Sequence, residues 1–95
     1  MKFIFYKFKF MWGVSMNDLI ANIDKLHTTE QGAERIKRNL GLEIIDVVAW
    51  CKQGILSLNC SIERKGKNWY ASVDDCVITV NAHSYTIITG HKTKK

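Results

Sequence analysis

Near Asn59 the spacing of apolar residues changes from three and four to two, and that change limits the chain to helices followed by a sheet. Before it, Leu19, Ile20, Ile23 and Leu26 recur at helical steps, with Asn17 or Asp18 placed to cap a first turn, so a helix is expected to about His27. Thr28 and Gln31 have the spacing of a capping box, and Ala33, Ile36 and Leu40 then mark one face as far as Gly41, which predicts a second helix over 29–40. The run Ile44, Ile45, Val47, Val48, Trp50, Cys51 and Ile55 is apolar on more than one face. A third helix over about 43–54 is therefore expected to be the buried one. After Asn59, residues 60–65, 68–73, 76–81 and 84–90 alternate as strands, joined around Gly66, Asp74-Asp75 and Ala82-His83. Turns this short force neighbouring strands to be antiparallel. The expected fold is α+β, with three N-terminal helices packed on one face of a four-stranded antiparallel meander.

Parity sorts the strand residues. Cys60, Ile62, Trp69, Ala71, Val73, Cys76, Ile78 and Val80 form the inner set, and Glu63, Lys65, Tyr70, Ser72, Thr79 and Asn81 the open face. In the last strand Tyr85, Ile87 and Thr89 suit the inside only slightly better than Ser84, Thr86 and Ile88. Ninety-five residues, 46% apolar and with no proline, suffice for one domain, assigned to 16–95. Residues 1–15, MKFIFYKFKFMWGVS, differ in composition and read as an N-terminal extension ahead of Met16. Lys7 and Lys9 interrupt the apolar run a secretory signal would need, and the segment is too short to span a bilayer; contact with a membrane surface is the alternative reading for it.

The net charge of +5 favours anionic partners, but Lys2, Lys7 and Lys9 supply three of those charges and leave +2 for 16–95. Cys51, Cys60 and Cys76 are odd in number and match neither a disulfide framework nor a zinc or redox motif, which suits a reducing cytoplasm. Cys51 and Cys76 read as core thiols, Trp50 and Trp69 as core anchors, and Asp74-Asp75 as a turn. No metal or cofactor is expected. His27, His83 and His91 lack ligand spacing, and no glycine-rich phosphate loop follows a strand.

A meander decides which turns share an end. His83 falls with Arg64, Lys65 and Lys67 at one end, and His91 with Asp74 and Asp75 at the other, roughly 26 Å away along an extended strand. Cleaving RNA without a metal needs proton transfer and cations for the phosphorane charge. His83 is suited to the first, since imidazole titrates nearest neutral pH. Arg64, Lys65 and Lys67 are suited to the second, and Tyr70, Asn81 and Ser84 to holding a splayed base. The plain reading of each is an exposed turn histidine and a solvated basic hairpin.

The blocks TTEQGAERIKRNLGL (28–42), DVVAWCK (46–52) and IERKGKNWYASVDDCVITVNAHSYTIITGHK (62–92) resemble a family of bacterial proteins of about eighty residues, known only as a domain of unknown function. More remotely, helices before a four-stranded sheet whose last strand reads YTIITGH after a His-Ser pair are similar to the barnase, EndoU, colicin and RelE-like ribonucleases. That resemblance implies a toxin-type enzyme with an antitoxin partner. It implies a site lined by His83, Ser84, Thr86, Arg64 and Lys65, with His91 as a terminal contributor.

Two functions are expected from different classes. One is a metal-independent endoribonuclease acting on single-stranded RNA, with His83 as acid or base and Arg64, Lys65 and Lys67 on the phosphate. The alternative is a noncatalytic module that docks a protein or nucleic acid through the open sheet face or the Arg35, Lys37 and Arg38 helix.

Overall fold

The computed structural model describes residues 18–41, 43 and 45–93, so the reading of residues 1–15 lies outside the described residues. Helix α1 (Asp18–Ala21) leads into a 3-10 turn over Ile23–Lys25, then α2 (Glu30–Leu40) and α3 (Val47–Ile55). Strands β1 (Ser61–Lys65), β2 (Asn68–Val73), β3 (Cys76–Asn81) and β4 (Ile87–Lys92) follow, antiparallel and in sequence order across one sheet. The class is α+β, with three helices and a four-stranded antiparallel sheet.

The first helix is shorter than expected because Asn22 breaks it: its side chain donates to Asp18 O at 3.0 Å and its backbone leaves the helical region at φ −117°. Leu19 and Leu26 are buried all the same. The cap of α2 is Thr29 rather than Thr28, its hydroxyl accepting from Gly32 N–H at 2.9 Å, while Thr28 Oγ1 donates across to Ile87 O at 2.9 Å. A Cβ on Gly32 would collide with Thr28 Oγ1 and push that hydroxyl off its bond to Ile87 O. Gly41 ends α2 in the left-handed region at φ +65°, its N–H donating to Lys37 O. The buried stripe of Ile36 and Leu40 closes on Gly90 of β4, where an added Cβ would lie 3.5 Å from each of them.

Helix α3 starts later than the apolar run suggests. Asp46 captures Ala49 N–H at 3.0 Å and sets the N-cap, which leaves Ile45 outside the helix and 96% exposed. Val47, Cys51 and Ile55, four residues apart, are its buried face, and Gly54 meets Val73 and Ile78 of the sheet.

Trp69, Ala71, Val73, Ile78 and Val80 are buried as parity requires, whereas Cys60, Ile62 and Cys76 are half-buried. Thr79 keeps to the face opposite Ile78 and Val80, but flanked by Tyr70 and Thr89 it is only 6% exposed, so that face is not open at its centre. The last strand begins at Ile87, three residues later than expected. Val80 pairs with Ile87 and Thr79 with Thr89, so Ile88 is an extra residue in a bulge. The bulge explains why no single parity fitted this strand. Ile87 and Gly90, three apart, are both buried.

Gly66 at φ +59° opens the β1–β2 turn, and Asp74 and Asp75 are both left-handed, at φ 50° and 43°, in the β2–β3 turn. No described helix is long and apolar enough to cross a membrane.

Candidate functional site

Two turns meet at one end of the sheet. Ala82 N–H donates to Lys67 O at 2.8 Å, and Asn68 stands opposite Asn81, so the β3–β4 loop lies against the β1–β2 turn. His83 is exposed in that loop, with exposed Lys67 in the neighbouring turn. Asn81 organises the loop: its Oδ1 accepts from His83 N–H and Ser84 N–H, each at 2.9 Å, and lies 3.2 Å from Ser84 Oγ. Accepting two backbone donors identifies that atom as the amide oxygen. The structure therefore brings His83, Lys67, Asn81, Ser84 and Thr86 to one end.

The basic hairpin divides between faces, because consecutive strand residues point oppositely. Arg64 shares a face with its partner Trp69, its Nε donating to Gly66 O at 3.0 Å and its guanidinium carbon 5.5 Å from the Trp69 ring centroid. Lys65 and Tyr70 belong to the opposite face. Tyr70 is half-buried, its hydroxyl 3.4 Å from Asn68 Nδ2. His91 is not part of the group. It pairs with Val77 towards the far end, where Thr93 N–H donates to Asp75 O at 2.7 Å.

The sequence reading left one residue out of this site. His27 forms an isolated parallel bridge with Thr86, its N–H donating to Tyr85 O at 3.2 Å and its carbonyl accepting from Ile87 N–H at 2.7 Å. The imidazole then extends the loop network: Nε2 is 3.1 Å from Thr86 Oγ1, which is 2.7 Å from Ser84 Oγ, while Nδ1 is 2.9 Å from Lys25 O. Nothing in local spacing signals a partnership between residues 59 positions apart. The one available hint was that Ser84 and Thr86, two hydroxyls, fall on one side of the strand expected over 84–90.

Between them Tyr85 sits at φ +63°, a conformation a bulky residue adopts at a cost of about 1–3 kcal/mol. Its ring is held from two sides, 5.4 Å from Trp69 between centroids and 5.6 Å from Lys25 Nζ. Arg64, Trp69, Tyr85 and Lys25 thus form a row in which cations cover both rings. Trp69 is 3% exposed and serves as a core residue, not a stacking surface.

Residues 20–91 match the family described as Protein of unknown function (DUF3781). The chain belongs to that family. No curated protein and no solved structure matches it, and the comparisons lend no support to the expected resemblance to ribonucleases.

Elsewhere in this DUF3781 domain, a cleft of about 240 Å³ lies between α3 and the β2–β3 turn, lined by Trp50, Gly54, Ser57, Val73, Asp74 and Cys76. It is at the end away from His83 and falls below the volume usual for a small-molecule site. The free thiols are poor nucleophiles. Burial pushes Cys51 up to about 12 and Cys60 to about 11, and desolvation raises Cys76 against the opposing pull of Lys92. Among the described residues no group of three His, Cys, Asp or Glu side chains is arranged to hold a metal ion.

Proposed function

We propose that this domain is a metal-independent endoribonuclease acting on single-stranded RNA at the end where the lysine-bearing β1–β2 turn meets the His83 loop. The observation that carries the reading is the Ala82 N–H to Lys67 O bond, which ties the His83 loop to the lysine-bearing turn. In this reading the three helices cover one sheet face, and RNA is taken up across the loop end. Lys67 and Lys65 hold the phosphate as point charges, Arg64 reaches it from the other side of the β1 edge, and His83 transfers a proton. Asn81, Ser84 and Tyr70 supply polar contacts to a splayed base.

The test is incubation of the purified chain with single-stranded RNA in excess EDTA. Products ending in cyclic phosphate, lost on His83→Ala with the fold intact by circular dichroism, support the reading. An inert wild-type protein refutes it.

The noncatalytic alternative has one observation in its favour. Arg35 and Arg38 stand exposed on α2, and Glu63, Lys65 and Ser72 stand exposed on the sheet face opposite Trp69, which leaves both docking surfaces open. It predicts a salt-sensitive complex without turnover, weakened more by Arg35→Ala with Arg38→Ala than by His83→Ala.

A further inference from the structure

We infer that His27 is the proton acceptor of the reaction proposed above, receiving the proton through the Thr86 hydroxyl; the inference rests on that reading. Three observations support it, none involving His83. First, Lys25 O, at 2.9 Å from Nδ1, is an acceptor only. A neutral His27 bonded to it carries its proton on Nδ1 and presents Nε2 as an acceptor, a tautomer assigned from the bonding pattern. Second, Nε2 faces Thr86 Oγ1 at 3.1 Å, the reach of a base on the group it serves, and the base is oriented by a third group.

Third, the chain beyond Thr86 runs in either direction without movement of heavy atoms. With His27 neutral, Thr86 donates to Nε2 and Ser84 donates to Thr86. With His27 protonated, Nε2–H donates to Thr86, Thr86 to Ser84, and Ser84 to Asn81 Oδ1, so every contact in the chain is satisfied at once. Arrival of a proton is thus accommodated by hydroxyl rotation. The strained Tyr85 backbone lies between the two hydroxyls, where strain of this kind clusters in functional sites.

The step balances. The substrate 2′-hydroxyl gives its proton to Thr86 Oγ1, whose own proton passes to His27 Nε2. The 2′-oxygen forms a bond to phosphorus, the bond from phosphorus to the 5′-oxygen breaks, and that oxygen takes a proton from the His83 imidazolium. The products are a 2′,3′-cyclic phosphate and a 5′-hydroxyl, and nothing is oxidised or reduced. The ionisable side chains on the segments meeting His27 are Asp24 and Lys25 on the 3-10 turn and His83 and Tyr85 on the loop; Lys25 Nζ lies over the Tyr85 ring.

Cleavage of a fluorogenic single-stranded RNA by the full chain in EDTA, followed from about pH 5 to 8.5, tests this, with RNA affinity measured in parallel by anisotropy. His27→Gln should lower kcat by about 100-fold or more and abolish the acid limb of the pH profile, with affinity within about twofold of wild type. Thr86→Val should lose about tenfold or more, and Thr86→Ser, which restores the hydroxyl, should return most of the rate. If His27→Gln does not fold, the Thr86→Val and Thr86→Ser pair still decides. A wild type that cleaves, with His27→Gln or Thr86→Val retaining its rate and profile, overturns the inference and leaves the proposed function standing. A wild type that binds or ignores RNA without cleaving it overturns both.

Discussion

Replacing Tyr85 with alanine and with glycine separates the strain in the β3–β4 loop from the contacts that hold it. Both variants lose the Trp69 ring pair, about 0.5–1.5 kcal/mol, and the Lys25 cation–π contact, about 0.5–1 kcal/mol. With the half-buried ring surface added, Tyr85→Ala should cost about 2–3 kcal/mol. Alanine keeps the penalty of a left-handed backbone at φ +63°, about 1–2 kcal/mol, whereas glycine does not. Glycine in turn loses about 0.4–1 kcal/mol through the greater freedom of the unfolded chain. The balance makes Tyr85→Gly the more stable of the two by about 0.5–1 kcal/mol. Where φ is negative the order is the reverse, so the sign alone is diagnostic. Urea unfolding at neutral pH, with equal slopes for both variants, measures it. A Tyr85→Ala protein as stable as Tyr85→Gly, or more so, would show that the loop is unstrained at this residue.

Three further outcomes follow from particular residues. Cys51 is buried, with its thiol near 12 in the folded state against an ordinary 9.0, so the unfolded chain releases this proton first as the pH rises. Stability should be complete below about pH 9 and fall by about 1.4 kcal/mol per pH unit above it, and Cys51→Ala should lack that component of the slope in denaturant titrations run in parallel. Gly41→Ala and Gly66→Ala should each cost about 1 kcal/mol by urea unfolding, from left-handed backbone alone, because an added Cβ meets nothing within 4 Å at either place. Lys67→Glu should weaken RNA binding and flatten its salt dependence by about one unit or more of slope, whereas an unchanged slope would remove Lys67 from the phosphate contacts.

The regular elements were legible because each is set by local rules. The period change near Asn59, the left-handed stop at Gly41 and the two-residue turns at Gly66 and Asp74-Asp75 all carry their signals within a few residues. The errors came where a distant partner decided. Thr28 has the form of a cap, yet its hydroxyl is taken by Ile87 O, so the cap falls to Thr29. The last strand alternates plausibly from Ser84, but the loop that Asn81 ties together and the bulge at Ile88 delay it and shift its parity. In the site, the gathering of His83 with the β1–β2 turn follows from meander topology, and so does the distance of His91. The separation of Arg64 from Lys65 also follows from alternation. His27 does not, because its place depends on a bridge closed only in the folded chain.

The same bridge bears on whether the His27 side chain serves the fold or the chemistry. The segment carrying it is held by backbone bonds on both sides, His27 N–H to Tyr85 O and Ile87 N–H to His27 O, and by Leu26, 4% exposed in the core. Thr28 adds a further bond to Ile87 O. With the strap fixed by these four attachments, the imidazole contacts to Thr86 and Lys25 O are exposed side-chain hydrogen bonds whose net contribution to stability is about 0.5–1.5 kcal/mol each. Loss of the Thr86 hydroxyl should therefore leave a folded protein with its bridge intact. In the proposed reading, this network of an imidazole and two hydroxyls beside a strained residue serves proton transfer, and the fold rests on the four attachments instead. A Thr86→Val protein destabilised by several kcal/mol would reverse that judgement, since the network would then be holding the strap.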